Sequence, residues 1–319
     1  MKAFYSDTFV LPLPQEHRFP MAKYRLLRER LLADGVLDQS ELCVPAAATV
    51  DELLLVHAPA YVDAVTHGTL DGHAQRRVGF PWSPEMVERS RRSVGATIAA
   101  SREAVGPPGH FVVAANLAGG THHAFADRGE GYCVFNDVAV SARVLLRDRL
   151  VDRAAVIDCD VHQGNGTASI FRGDPAVFTF SMHGARNFPF RKETSDLDIE
   201  FADGASDDEY LGALASHLPA VLDRERPNVV FYLAGADPYE GDRLGRLKIT
   251  IAGLRERDRV VFEECRLRGI PVVVTMSGGY SPDIDAIVTI HANTIREAVA
   301  ALDRAGSSER SHGPLSPAY

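Results

Sequence analysis

Five short, almost unbroken apolar runs punctuate the chain: Phe111-Val112-Val113-Ala114, Ala155-Val156-Ile157, Val177-Phe178-Thr179-Phe180, Val229-Val230-Phe231-Tyr232-Leu233 and Val272-Val273-Val274-Thr275. Runs of this length, without polar alternation, fit strands buried on both faces. Longer amphipathic stretches between them predict helices over roughly 20–34, 85–105, 136–150, 207–226 and 253–269. Asn136 is placed to cap the third, and Asp207-Asp208-Glu209 puts acid at the positive end of the fourth. Strands alternating with helices predict an α/β domain with a mostly parallel sheet. The segment Gly79-Phe80-Pro81-Trp82-Ser83-Pro84 reads as an extended loop able to line a site entrance. No internal stretch resembles an interdomain linker, so one domain is expected over residues 1–304. From Ala305 to Tyr319, Gly, Ser, Pro and charge replace any apolar period, which predicts a flexible tail.

Composition narrows the partners. The 319 residues are 45% hydrophobic and 24% charged, as in ordinary soluble proteins. With 34 Lys and Arg against 43 Asp and Glu, the net charge of -9 argues against nucleic acid or anionic membrane as a partner and mildly favours a cationic substrate. The N-terminus lacks the apolar stretch of a signal peptide and no run is long enough to span a bilayer, so a cytoplasmic location is expected. Cys43, Cys133, Cys159 and Cys265 lack paired spacing and read as reduced, packed thiols.

In an open parallel sheet, ligands bind beyond the carboxyl ends of the strands. Here those positions carry chemistry. The run ending at Ile157 is followed by Asp158-Cys159-Asp160-Val161-His162-Gln163-Gly164-Asn165-Gly166. If that segment stays extended, Asp158, Asp160 and His162 point one way. Asp237 follows the run ending at Leu233, and Ser277-Gly278-Gly279-Tyr280 follows the run ending at Thr275. After Ala114 comes Gly119-Gly120-Thr121-His122-His123, where flexible glycines can deliver two imidazoles into a confined space. Each piece alone is compatible with turn chemistry or a solvated loop; their conjunction at strand ends is not accidental packing. One His with two carboxylates leaves a coordination position open for water, an arrangement open to Zn²⁺, Fe²⁺ or Co²⁺. With His122 and His123 to move protons and Tyr280 to donate to an oxyanion, the parts predict a metal-assisted amide hydrolase.

These residues resemble the histone deacetylase family of the arginase-deacetylase fold, from Phe4 to about Ala301. The match rests on Gly119-Gly120-Thr121-His122-His123, Gly131-Tyr132-Cys133-Val134-Phe135-Asn136-Asp137, the Asp158 to Gly166 segment, Gly235-Ala236-Asp237 and Ser277-Gly278-Gly279-Tyr280, in the family's order. The resemblance implies a single three-layer α/β domain. It implies zinc on Asp160, His162 and Asp237, with Fe²⁺ an alternative. His123 would be the main general base and acid, His122 would assist with Asp158 orienting it, and Tyr280 would clamp the substrate carbonyl. Gly131 and Tyr132 would wall a tunnel for the acyl-lysine, opposite Phe188, with Gly278 and Gly279 also near the substrate. A structural potassium ion would use Asp158, Asp160, His162, Ser181 and Met182, partly through backbone carbonyls.

Gln163 and Asn165 stand where the best-known class has His and Asp, and the Gln-Gly-Asn-Gly string with Glu240-Gly241-Asp242-Arg243-Leu244-Gly245 is most similar to the class IV branch and its bacterial relatives. A neutral Asn165 beside His123 stabilises an imidazolium less than Asp would, favouring the base role. Polyamine-selective members carry an acidic residue where this chain has Leu244, which ranks acyl-lysine in a protein or peptide above small acylated amines. The rival dinuclear manganese ureohydrolase would need more carboxylates after His162 than Gln163, Gly164 and Asn165 provide. A non-catalytic acyl-lysine binding module would be expected to lack Tyr280, His123 or a metal ligand, and all are present.

Overall fold

The computed structural model describes residues 1–14, 16–106 and 109–311. Eight strands form one sheet: β1 (Lys2–Phe4), β2 (Leu42–Cys43), β3 (Val113–Asn116), β4 (Ala154–Asp158), β5 (Val177–Gly184), β6 (Leu197–Phe201), β7 (Val229–Leu233) and β8 (Val272–Thr275), in the order β2-β1-β3-β8-β7-β4-β5-β6. Every pairing is parallel, so all carboxyl ends emerge on one edge.

Among the described residues ten α-helices accompany them: α1 (Lys23–Ala33), α2 (Val50–Leu53), α3 (Pro59–His67), α4 (Gly72–Val78), α5 (Pro84–Ala104), α6 (Asp137–Arg147), α7 (Asn165–Phe171), α8 (Asp207–Glu225), α9 (Ile251–Leu267) and α10 (Ile284–Ser311). The strand alternation explains the layers. Val230 and Tyr232 of β7 pack with Leu27 and Leu31 of α1, Leu214 of α8, Phe262 of α9 and Ile290 of α10 in one cluster. Val229, Phe231 and Leu233 point the other way, into a second cluster with Ala100 of α5, Val138 and Leu145 of α6 and Phe171 of α7. A third cluster under α3 and α5 joins Tyr61, Val65, Met86 and Val94 to Phe135.

The caps follow local chemistry. Asn136 accepts from the Ala139 amide at the start of α6, and Ser206 with Glu209 forms a capping box on α8. The final helix runs to Ser311, so residues 305–311 are helical where the sequence reading starts an irregular tail; residues 312–319 lie outside the described residues. No helix among the described residues is long and apolar enough to cross a membrane. The cysteines are unpaired, three of them buried.

Candidate active site

Sheet register sets the site. Asp158 on β4 aligns with Leu233 on β7, and Leu233 aligns with Thr275 on β8, so three neighbouring strands end level. The turns that follow carry Asp160 and His162, then Asp237, then Ser277 to Tyr280. Buried Arg257 of α9 ties two of these turns together, donating from Nη1 to the Gly235 carbonyl at 2.7 Å and the Cys159 carbonyl at 3.3 Å. Its charge is balanced by Asp258, itself fully buried.

Asp160, His162 and Asp237 each offer a ligand atom within 4.8 Å of the others, and all three are buried. His162 Nδ1 lies 3.0 Å from Asp160 Oδ1 and 3.1 Å from Asp237 Oδ2. The carboxylates are held in place: Asp160 Oδ2 accepts from Ser277 Oγ at 2.7 Å and the Gly278 amide at 2.8 Å, and Asp237 Oδ1 accepts from the Val161 amide at 3.0 Å. Burial and the neighbouring Asp160 push Asp237 up to about 7, while burial's effect on His162 is outweighed by the two carboxylates, raising it to about 10. Two buried carboxylates facing one imidazole favour a cation in their midst. Gly278 is obligatory here, since a Cβ at that position would lie 1.8 Å from Asp237 Oδ2. The donor set fits a single divalent metal.

The common direction expected of Asp158, Asp160 and His162 required an extended chain, and that condition is not met. The strand ends at Asp158 and residues 160–162 bend. Asp158 accepts from His122 Nδ1 at 2.6 Å and from the Asp160 amide at 3.1 Å. Burial acts to lower His122, but Asp158 and Asp160 overcome it and raise it to about 9. His123 differs. Its Nδ1 donates to Asn165 Oδ1 at 2.7 Å, and burial, helped by the neighbouring His122 and His162, holds it well below the usual imidazole range. The two rings lie 4.1 Å apart, one suited to carry charge and the other to accept a proton.

A cavity of about 680 Å³ opens over these groups. His123, His162 and Tyr280 line it together with Gly131, Tyr132, Phe188 and Leu244. The Phe188 and His123 rings are 4.9 Å apart and those of Tyr132 and Tyr280 5.9 Å apart, giving an aromatic throat. Gly131 adopts φ 56° and a Cβ there would meet His123 Cδ2 at 2.7 Å; Tyr132 follows at φ 66°. Their amides are pinned to the Arg77 and Val78 carbonyls at 3.1 and 2.8 Å, at the end of α4. Tyr280 is fixed by its amide, which donates to Asp242 Oδ2 at 2.6 Å, and burial keeps its phenol well above the usual range and therefore protonated. Gly278 and Gly279 are not in this lining: Gly278 lies against the Asp160 and Asp237 carboxylates, and Gly279 against Ile287 and Ala236. Ser181 and Met182 are buried on β5, with Ser181 in register with Asp158.

Several positioning groups escape sequence reasoning. Ser277 holds Asp160 from a left-handed backbone at φ 56°. Asp137 accepts from the Gly120 amide at 3.0 Å and the Thr121 amide at 2.8 Å, fixing the loop that carries both histidines. Lys23, buried on α1, donates to the Ser277 carbonyl at 3.2 Å and the Gly279 carbonyl at 3.4 Å. The signal available in the sequence is a lysine on the same helix as the apolar positions Tyr24, Leu27 and Leu31.

Fold and site define a hydrolase of acyl amides built on the arginase-deacetylase architecture. A histone deacetylase domain matches residues 17–295. The chain is 46% identical to an uncharacterized protein of Picosynechococcus sp. over 90% of this chain and 95% of that one. It is 29% identical to histone deacetylase 2 of Arabidopsis thaliana over 94% and 77% of the two chains, and 31% identical to a probable deacetylase of Methanothermobacter thermautotrophicus over 75% and 74%. The fold superposes on the crystal structure of an HDAC homolog complexed with SAHA with a TM-score of 0.79 at 24% identity, covering 96% of this chain and 88% of the other. The chain belongs to the histone deacetylase family. It is an enzyme of the deacetylase type.

Proposed function

We propose that this enzyme hydrolyses the amide of an N-epsilon-acyl-lysine in a protein or peptide, releasing lysine and a carboxylate. The observation that carries the reading is that His123 and Tyr280 line one cavity together with His162 of the buried metal-competent triad. Asp160, His162 and Asp237 would hold Zn²⁺, or Fe²⁺, which suits the same ligand set. Bound there, the ion supplies Lewis acidity, polarising the amide carbonyl and acidifying water.

The chain's own residues do the rest. His123 is neutral, its Nδ1 proton committed to Asn165, so its Nε2 is free to take the proton from attacking water and pass it to the departing lysine amine. His122, kept charged by Asp158, supports the developing negative charge electrostatically. Tyr280 donates its phenol hydrogen to the carbonyl oxygen as it gains charge. Gly131, Tyr132 and Phe188 enclose the lysine's methylene stem and exclude water, with Leu244 at the mouth and Gly278 and Gly279 supporting from behind. Asp158, Asp160, His162, Ser181 and Met182 would surround a structural K⁺ beside the triad.

An apolar Leu244 gives a second cationic amine nothing to pair with, which supports acyl-lysine over polyamine. The test is hydrolysis by zinc-loaded enzyme of matched peptides bearing acetyl-, octanoyl- and myristoyl-lysine, alongside acetylated polyamines. Turnover that falls steeply in Tyr280→Phe and His123→Ala supports the mechanism, and the wild-type rates rank the acyl lengths. Turnover of polyamines alone would replace the substrate assignment.

A further inference from the structure

The mouth of this cavity carries the opposite charge to the chain. Five arginines line it: Arg76 and Arg77 from the end of α4, Arg186 after β5, and Arg243 and Arg246 after β7. All five are exposed. The opposing acids are few. Glu130, also in the lining, faces Arg77, and Asp203 serves two guanidiniums, 3.8 Å from Arg186 and 3.2 Å from Arg246. Among the described residues, Arg76, Arg77 and Arg243 have no carboxylate within ion-pair distance.

Arg76 and Arg77 also complement the negative end of α4, which is reason enough for those two. That account does not extend to Arg186, Arg243 and Arg246, which come from the loops after β5 and β7. Beside them Phe190 stands 86% exposed, an aromatic surface among the charges. Charges are screened over about 10 Å at ordinary ionic strength, so a docking segment feels this rim rather than the net charge of the chain. The mild preference for a cationic substrate drawn from composition is therefore reversed locally.

We propose that the rim selects acyl-lysines set among acidic residues: carboxylate side chains flanking the modified lysine pair with the guanidiniums while the acyl-lysine enters the throat. The inference rests on the acyl-lysine reading above and specifies its substrate. Guanidinium forks suit carboxylates, and the same rim repels basic segments and polyamines.

The experiment uses zinc-loaded full-length enzyme and three peptides with the same acyl-lysine, flanked by Asp and Glu, by Gly and Ser, or by Lys and Arg. The kcat/KM is expected to fall by about tenfold or more from acidic to neutral and again to basic, the gaps narrowing at high salt. In Arg76→Ala/Arg243→Ala the acidic-to-neutral ratio drops towards one, whereas Arg76→Lys/Arg243→Lys keeps most of it. Equal rates, or a preference for basic flanks, overturn the proposal. Fluorescence anisotropy of the same peptides reads the rim without turnover. An acidic peptide bound no tighter than the neutral one overturns the rim's role. Charge-ordered binding by a folded, zinc-loaded, inactive enzyme supports the rim and tells instead against the hydrolase reading.

Discussion

Asn165 Oδ1 accepts the Nδ1 proton of His123 at 2.7 Å, so the imidazole that faces the cavity is backed by a neutral amide. Burial already holds that imidazole well below its usual range. Asn165→Asp places a carboxylate there and raises the imidazole's affinity for a proton. The basic form is then lost at a higher pH, so the acid limb of the kcat/KM profile moves upward by about one unit, equivalent to about 1.4 kcal/mol. A pH-rate profile that overlays the wild type would refute the base role of His123.

Removing His123 and removing the Tyr280 hydroxyl should fail differently. His123→Ala is expected to lower kcat by roughly 10²- to 10⁴-fold, the usual scale for a general acid-base group. Tyr280→Phe takes away one oxyanion donor, with a loss of about 10²- to 10³-fold in kcat and little change in KM. Both variants keep the triad, so metal analysis should find wild-type content. Lost metal in either would show that the residue acts by shaping the site.

Wild-type protein freed of metal by chelation should bind close to one Zn²⁺ per chain, since the triad supplies ligands for one ion. Asp237→Ala removes a ligand. Gly278→Ala does so indirectly, because its Cβ would displace Asp237 Oδ2. Both should lose metal by elemental analysis while circular dichroism stays native. Two ions per chain would instead favour a dinuclear centre.

Much of this was legible in the sequence because it is written in local patterns. The Val229–Leu233 and Val272–Thr275 runs match β7 and β8 residue for residue, since strands buried on both faces need continuous apolar sequence. The triad was legible because its members follow strand ends. The remainder depends on partners distant in the chain. Lys2–Phe4 and Leu42–Cys43 are too short to show a period and become strands only by pairing, through β1, with β3. Asn165 and Gly166 have poor helix propensity, so no helix is expected over 165–171, yet α7 starts there with Thr167, Ala168 and Phe171 buried. The basic rim was invisible for a related reason. Its arginines come from three separate segments, and only the fold sums their charge against a chain of net -9.

His57 links pH to the throat. It is buried, its Nδ1 donating to the Phe125 carbonyl at 3.0 Å and its Nε2 accepting from the Asn136 amide at 3.0 Å, so both nitrogens are used only in the neutral ring. Burial lowers it from 6.5 to about 4. Between those values the unfolded chain binds the extra proton and the folded protein does not. Stability from this group is therefore present above about pH 6.5 and is lost as pH falls through 4. Linkage gives a loss of about 2 kcal/mol between pH 7 and pH 5. Urea midpoints at the two pH values, for wild type and His57→Gln, measure it: the variant should be less stable at pH 7 and show a smaller decline. Because the clamp closes the segment from Phe125 to Asn136, which contains Gly131 and Tyr132, acid should also loosen the tunnel wall. An equal decline in both proteins would assign the acid sensitivity to other groups.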